Sequence, residues 1–134
     1  ITDISGTNDS FLAVSEDFKV FGYGSNLSGK LCFGKRTEYF NKFKKISALK
    51  KFRIVSVFAG FDHSLFQTND GRVLSCGDNR NGQLLLNEKP REKKFDSPEE
   101  TIFYKNAKNC IAGCRLSFVF IDVTIPNLAN SVLK

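Results

Sequence analysis

The chain has 134 residues, with 20 lysines and arginines, 14 aspartates and glutamates, and a formal net charge of +6 at pH 7. This length suits one structural unit. No apolar run reaches about 18 residues and no charged-then-apolar leader opens the chain, so the sequence predicts neither a membrane-spanning helix nor a signal peptide. The charge is local, because residues 35–53 carry a net of +7 and the other 115 residues a net of −1.

The chain repeats itself at a spacing of 53 residues. Segments 15–34 and 68–87 share six identities, where unrelated segments of this length share roughly one. The identical pairs are Asp17 with Asp70, Val20 with Val73, Gly24 with Gly77, Asn26 with Asn79, Gly29 with Gly82, and Leu31 with Leu84. Upstream, a one-residue slip pairs Gly6 with Gly60, and a third copy begins at Gly113. The repeat predicts matching surroundings for Gly6, Gly60 and Gly113.

Residues 37–52 place an apolar side chain at every third position, with lysines between. A period of three drifts off one face of a helix with 3.6 residues per turn. The segment therefore fits either an amphipathic helix or a helical turn followed by an outer strand.

Strands and turns are predicted for the rest of each copy. The runs 54–60 and 116–123 are rich in Val, Ile and Phe, which is typical of buried strands. The sequence Asn69-Asp70-Gly71 predicts a hairpin turn, and Phe18 in the glycine position predicts a longer or bulged turn in the first copy. Asn79 is expected to cap backbone groups in the tight connection between Gly77 and Gly82.

The second copy, AGFDHSLFQTNDGRVLSCGDNRNGQL, resembles the regulator of chromosome condensation repeat. The matching positions are Gly60, His63-Ser64, Asp70-Gly71, Gly77, Asn79, Gly82-Gln83 and Leu84. The first copy departs from the pattern, with Asp9 in place of the histidine, Lys30 in place of the glutamine and Tyr23-Gly24 in place of Trp-Gly. Cys76 also stands where that family has tryptophan.

The resemblance implies an all-β fold, a partial β-propeller of about two and a half blades, each a four-stranded antiparallel sheet, with short helical turns allowed. The expected repeats cover residues 4–56 and 57–109, with the start of a third at 110–125 and a linker or tail at 126–134. Together they make a repeat region of 1–125. Because the family's propeller has seven blades, we expect either an excerpt of a longer protein or copies that complete a ring.

The four cysteines, Cys32, Cys76, Cys110 and Cys114, show no framework spacing. We expect reduced, mostly buried thiols in a cytoplasmic or nuclear protein. Cys110 and Cys114 lack a second ligand pair nearby in sequence, so no zinc, other metal or cofactor is expected.

His63, the only histidine, falls on a repeat position with no nucleophile or acid repeated around it. We expect its ring to bond the backbone of neighbouring blades rather than to act as a base. The same structural role is predicted for the repeat positions Gly6, Gly24, Asn26, Gly29, Gly60, Gly77, Asn79, Gly82 and Gly113. No catalytic residue is predicted, and we do not expect an enzyme.

Three functional hypotheses follow. The first is a protein-interaction scaffold, of which guanine-nucleotide exchange on a small GTPase is a particular version that the family resemblance implies and to which no residue is assigned. The second is a purely architectural role, in which this chain supplies blades to a larger assembly. The third is chromatin or nucleic-acid association through the basic segment 35–53. A solvated connection between blades is the plain alternative for that segment. The binding residues predicted there are Lys42, Lys44, Lys45, Lys50, Lys51 and Arg53.

Overall fold

A computed structural model describes residues 1–34, 39–87, 94–103 and 105–121. The tail at 126–134 and the end of the third repeat lie outside these residues. The described chain forms ten strands and one 3₁₀ turn, η1. Their bounds are β1 Asp3–Gly6, β2 Ser10–Val14, β3 Val20–Ser25, β4 Tyr39–Lys45, η1 Ser47–Leu49, β5 Ile54–Ala59, β6 His63–Thr68, β7 Val73–Asp78, β8 Lys94–Glu100, β9 Ala107–Ala112 and β10 Ser117–Ile121.

The strands form three antiparallel sheets in chain order. The first sheet is β1-β2-β3-β4, the second is β5-β6-β7-β8, and the third pairs β9 with β10. The all-β expectation with four-stranded units is confirmed. The helix alternative for residues 37–52 is wrong: the described part, from Tyr39, is an outer strand followed by the 3₁₀ turn, in the reverse of the order we allowed.

Side chains from successive sheets interlock to form the core. Leu12 and Val14 of the first sheet pack with Val57 and Phe66 of the second, in one cluster that also takes Leu49 from η1. A smaller cluster joins the second sheet to the third. The strands β6 and β7 are buried along their whole length, whereas β4 is exposed at most positions. The middle sheet is therefore covered on both faces, as a propeller blade is by its neighbours.

Hydrogen bonds show that the three copies keep one register of 53 residues. Each first hairpin closes with the same backbone bond, a donor N–H to a carbonyl three residues later. These bonds are Thr7 N to Ser10 O, Gly60 N to His63 O, and Gly113 N to Leu116 O. The one-residue slip inferred from sequence is therefore wrong, and Thr7, not Gly6, occupies the place of Gly60.

The close approach of Gly24 and Gly77 to the preceding strand fixes this register. A Cβ on Gly24 would lie 2.1 Å from Asp9 O, and one on Gly77 would lie 2.3 Å from Asp62 O. Both glycines have positive φ, at +95° and +111°, which side-chain-bearing residues rarely adopt. Asp9 thus matches Asp62. The residue in the place of His63 is Ser10, which corrects our assignment of Asp9.

The hairpin turns between second and third strands are also alike. Ser15 N donates to Lys19 O and Phe18 N to Ser15 O, as Thr68 N donates to Arg72 O and Gly71 N to Thr68 O. Phe18 adopts a φ of +60° where Gly71 adopts +82°. The expectation of a longer or bulged first turn is wrong, because Phe18 accepts the left-handed conformation instead.

Cys32 and Cys76 form a disulfide with a Cα–Cα distance of 6.0 Å, although they are 44 residues apart in sequence. Cys32 follows the loop after β3, and the fold places this loop against β7 of the second sheet. The expectation of reduced thiols is therefore wrong for these two residues. Cys110 and Cys114 are free, the first buried and the second exposed. Burial raises the pKa of the Cys110 thiol to about 12. Among the described residues, no helix is long and apolar enough to cross a membrane.

Candidate functional site

The predicted asparagine caps occupy equivalent places after β3 and β7. Asn26 Oδ1 accepts from Leu31 N at 2.8 Å, and Asn79 Oδ1 accepts from Leu84 N at 3.1 Å. The backbone N–H of Gly29 donates to Asn26 O, with a φ of +81° at that glycine. These bonds are made inside each sheet's own loop, so they hold the loop shape before any neighbour is added.

The boundary between the second and third sheets, here called the second junction, contains His63. Its Nε2 lies 2.8 Å from Ser117 Oγ, and that hydroxyl donates to Gln83 O, also at 2.8 Å. Because the hydroxyl proton is used on Gln83, His63 must donate through Nε2–H, which leaves Nδ1 as the bare nitrogen. Nδ1 has no hydrogen-bond partner among the described residues. The ring thus contacts the third sheet through the side chain of Ser117 and also interacts with the backbone of Leu116, the kind of contact that we expected.

Burial lowers the pKa of His63 to about 4, and the negative charge of Asp78 offsets only part of this effect. The ring also lies directly over Gly60, where a Cβ would be 2.3 Å from Cε1. A neutral, fully buried imidazole held on one side is poorly placed to exchange protons with a solvent-borne substrate.

The boundary between the first and second sheets, the first junction, is closed by a different group. Lys30, with only 3% of its side chain exposed, donates from Nζ to Asp9 Oδ1 and to Phe61 O, both at 2.8 Å. Burial of Asp9 disfavours its charged form, but hydrogen bonds from Lys30 and Thr7 outweigh this and lower its pKa. Lys30, which departs from the repeat pattern, is therefore the partner of Asp9, which the corrected register matches with Asp62.

From the sequence, Asp9 and Lys30 were interpreted as two separate departures from the repeat pattern, and an ion pair between them was not predicted. The signal that could have found them is their opposite charge on residues that the repeat places at one junction. Phe61 connects both junctions, because its carbonyl accepts from Lys30 while its N–H donates to Gly113 O of the third sheet at 3.2 Å.

A polar cleft of about 240 Å³ opens at the second junction. Its lining residues are Asp62, Asp78, Arg80, Asn81, Gln83 and Arg115. Arg80 donates from Nε and Nη2 to the same oxygen, Asp78 Oδ2, at 2.8 and 2.6 Å, and its side chain is 60% exposed while that of Asp78 is 2% exposed. Burial disfavours ionisation of Asp78, yet the bonds from Arg80 outweigh it and lower the pKa. The side chains that line the cleft carry both positive and negative charges and include both hydrogen-bond donors and acceptors, but none of them is a nucleophile.

No group of three or more His, Cys, Asp or Glu residues that could hold a metal occurs in the part of the chain that the structure describes. The hydroxyl of Ser117 does lie beside the His63 ring, but it donates its proton to Gln83 O and accepts from Nε2–H, so the ring does not act on it as a base.

All six predicted basic residues are exposed, three on β4 and three between η1 and β5. They are Lys42, Lys44, Lys45, Lys50, Lys51 and Arg53. The apolar residues between them behave differently from one another: Ile46 and Leu49 are buried, but Phe43 is 51% exposed. Phe43 therefore does not turn into the core as Ile46 and Leu49 do.

Phe43 instead faces the side of the first sheet that no described residue covers. An apolar cavity of about 290 Å³ lies there, lined by Ile1, Ile4, Ala13, Phe21 and Phe43. The third sheet has a comparable face at the other end, where Phe118 is 55% and Phe120 51% exposed. Exposed apolar faces of this kind are typical of surfaces that meet another protein element.

Comparisons with known proteins find similar repeat sequences and a similar fold. Residues 54–83 match the family model described as "Regulator of chromosome condensation (RCC1) repeat". The human "Probable E3 ubiquitin-protein ligase HERC6" is 37% identical over 75 residues, which cover 54% of this chain and 7% of that protein. The bovine (Bos taurus) "Secretion-regulating guanine nucleotide exchange factor" is 34% identical over 91 residues, covering 68% of this chain and 19% of that protein.

Among solved structures, yeast RCC1 (Prp20) bound to Kap60 superposes with a TM-score of 0.76 at 20% identity. The match covers 88% of this chain and 29% of that one. The chain thus spans less than a third of the propeller it resembles and a fifth or less of the two protein relatives.

Proposed function

Since the chain is built from repeats of the regulator of chromosome condensation (RCC1) family, we propose that it is a non-catalytic protein-binding scaffold within a longer or multi-chain propeller. The observation that carries the proposal is the polar cleft at the second junction, where the exposed Arg80 is held by hydrogen bonds to the buried Asp78. A preorganised charge lowers the entropic cost of binding, and arginine is enriched at energetically important interface positions.

The test is quantitative affinity capture with the parent chain and with Arg80→Ala/Arg115→Ala. We expect the double variant to lose a discrete set of bound proteins while its melting temperature stays near that of the parent. Lys105→Gln/Lys108→Gln removes the same charge from the link before and into β9 and serves as the control. If the Arg80→Ala/Arg115→Ala variant keeps every partner that the control keeps, the cleft is not the binding surface.

A second candidate is guanine-nucleotide exchange on a small GTPase. It is favoured by the similarity to the bovine guanine nucleotide exchange factor, of which this chain covers 19%. None of the described residues is assigned to exchange. The assay is release of a fluorescent guanine nucleotide from a panel of small GTPases. Acceleration by the parent chain that Arg80→Ala/Arg115→Ala reduces would favour exchange, and binding without acceleration would favour the scaffold.

The open face of the first sheet supports the propeller context. At the first junction, Asp3 Oδ2 and Ser5 Oγ accept from the N–H groups of Val57 and Ala59 at 2.9 Å each. The register of 53 puts Ile4 and Gly6 in the places of Val57 and Ala59. A preceding blade of the same kind would supply two such acceptors to β1, whereas copies of this chain alone would bury the apolar face less specifically.

Sedimentation at micromolar concentration tests this context. We expect self-association of the isolated chain, and we expect Phe43→Ser to weaken it by removing apolar area from the open face. A monomer that melts cooperatively and binds no hydrophobic dye would contradict the need for covering blades. We further propose a cytoplasmic or nuclear location, although the Cys32–Cys76 disulfide argues against it, because a reducing compartment disfavours disulfides. Differential alkylation of Cys32 and Cys76 in cells tests it: free thiols would support this location, and a persistent disulfide would contradict it.

A further inference from the structure

A cationic cleft opens at the outer end of the first sheet, where the β2–β3 turn meets the segment between β4 and β5. Its volume is about 200 Å³. The basic residues in its lining are Lys19, Lys45, Lys50 and Arg53, and the acidic residue is Asp17. Asp17 forms an ion pair with Lys19. Three cations therefore face the cleft with no further carboxylate in its described lining.

A second cleft of about 470 Å³ shares Lys45 with the first. Lys44, Phe33, Phe40, Ser47 and Ala48 also line it, and none of the described residues in its lining is acidic. The shared lysine places the two clefts side by side, so the cations form one track along the rim. We call the cations Lys44, Lys45, Lys50 and Arg53, with these two clefts, the rim track.

Aromatic rings hold two of these cations at the surface. Lys44 Nζ lies 5.3 Å from the ring centroid of Phe40, and the guanidinium carbon of Arg53 lies 4.3 Å from that of Phe18. Cation–π contacts of this kind restrict a flexible side chain without neutralising its charge. The rim track is therefore partly ordered before any ligand arrives.

The second sheet carries the opposite charge at the two positions that correspond to Lys44 and Lys45. Lys44 pairs with Gly22 across β3–β4, and Glu99 pairs with Ser75, the residue 53 later, across β7–β8. By the same register, Lys45 corresponds to Glu100. Glu100 contacts Arg72, which stands in the place of Lys19, at 3.3 Å.

This reversal shows that the sheet does not need cations at its outer strand. In the second sheet, Arg72 is neutralised by Asp70 and Glu100, whereas in the first sheet Lys45 replaces the second carboxylate. The excess positive charge of the rim track therefore calls for an explanation outside the fold, and an anionic ligand supplies one.

We propose that the rim track binds nucleic acid through its backbone phosphates. A row of separate ammonium groups along two joined clefts matches a polymer with one charge at every phosphate, and binding would release condensed counterions. The track presents no side-chain pair aimed at base edges, so the binding is independent of sequence. This inference is independent of the scaffold proposal, because the polar cleft lies at the second junction and the rim track lies on the first sheet.

The test measures fluorescence anisotropy of a labelled DNA duplex of about 20 base pairs at salt concentrations from about 50 to 200 mM. For the parent chain we expect affinity to fall steeply with salt. For Lys45→Gln/Lys50→Gln we expect affinity at low salt to fall by about tenfold or more and the salt slope to decrease by about two. Both lysines are exposed, so the variant is expected to fold, and its melting temperature checks this.

The matched control is Lys105→Gln/Lys108→Gln, which removes the same charge from the link after the second sheet and from the start of β9. It should keep the parent affinity within about twofold if location matters more than net charge. An equal loss in both variants would overturn the proposal in favour of general charge attraction. An unchanged affinity in Lys45→Gln/Lys50→Gln would show that the rim track is only a solvated connection.

A competitor separates nucleic acid from acidic protein. Polyglutamate of equal total charge should displace the duplex poorly, because its charges lie on longer, flexible side chains at lower density. Displacement as effective as that by unlabelled duplex would overturn the nucleic-acid assignment and favour an acidic protein segment.

Discussion

The two junctions between sheets occupy equivalent places but are closed by different chemistry. At the second junction, the neutral ring of His63 bonds Ser117, which bonds Gln83 O. At the first junction, the charged Lys30 spans from Asp9 to Phe61 O. A repeat therefore conserves the geometry of its junction more strictly than the residues that satisfy it, since any donor that reaches the neighbouring carbonyl removes the cost of burying that group.

The first junction also has a covalent connection that the second lacks within the described residues. The Cys32–Cys76 disulfide ties the loop of the first sheet to β7. The position of Cys32 is taken in the second copy by Leu85, which adopts the same positive φ of 57°. The comparison predicts that the first junction depends on redox state and the second on pH.

The largest expected effect is loss of the disulfide. Cys32→Ala/Cys76→Ala should lower the free energy of unfolding by about 3 kcal/mol, because the bridge closes a loop that is open in the reduced unfolded chain. Urea unfolding with and without reductant measures it. Cys110→Ala/Cys114→Ala is the control and should leave the response to reductant unchanged. If the parent has the same stability with and without reductant, the first junction does not depend on the bridge.

The next effect concerns pH and the second junction. The folded-state pKa of His63, about 4, lies below its ordinary value of 6.5, so the unfolded chain binds more protons between these values. Stability from this group is complete above about pH 6.5 and falls by about 2–3 kcal/mol as the pH decreases to about 4. Urea unfolding across this range should show the slope.

His63→Gln should remove most of that slope while retaining a hydrogen bond to Ser117. The first junction gives a contrast within the same molecule, because the pKa of Asp9 lies below its ordinary value of 3.8. Its contribution is present above pH 3.8 and is lost only at more acidic pH. A parent chain whose stability does not change between pH 6.5 and 4 would contradict a buried, neutral His63.

Replacing the buried cation is the third test. Lys30→Met keeps the apolar stem but leaves Phe61 O without its donor and Asp9 without its counter-ion, which should cost about 2 kcal/mol. The loss of stability is not larger because 45% of the Asp9 side chain is exposed, so water can solvate the carboxylate once Lys30 is replaced. Lys50→Met, at an exposed position, should change stability by less than about 0.5 kcal/mol. Equal losses in the two variants would show that burial of Lys30 has no special role.

The sequence predicts the sheets well because their determinants are local. The spacing of 53 residues, the turn glycine Gly71 and the capping residues Asn26 and Asn79 each act within a single copy, so the pattern of one copy indicates the structure of the next. The outer strand β4 was the exception, since its apolar residues recur at every third position, which fits neither a helix face nor the alternation of a strand.

The junctions could not be predicted in the same way because they depend on which copies become neighbours. Cys32 meets Cys76 only when the loop of one sheet is placed on a strand of the next, and the distance between them in sequence gives no indication of this. Lys30 and Asp9 looked like isolated substitutions until the register showed that Ser10, and not Asp9, takes the place of His63. The first-hairpin bonds that correct this register are backbone bonds, which carry no sequence signal.

The smallest expected effect isolates the hydroxyl that joins His63 to Gln83. Ser117→Ala removes a donor to Gln83 O and an acceptor for His63 Nε2–H, and we expect a loss of about 1 kcal/mol because both groups are buried. Ser5→Ala at the first junction is the matched control, since Ser5 Oγ accepts a single bond, from Ala59 N. A double-mutant cycle with His63→Gln separates the two halves of the contact: coupling between positions 63 and 117 should exceed that between 63 and 5. Additive losses for the 63–117 pair would mean that the ring and the hydroxyl are neighbours without a shared hydrogen bond.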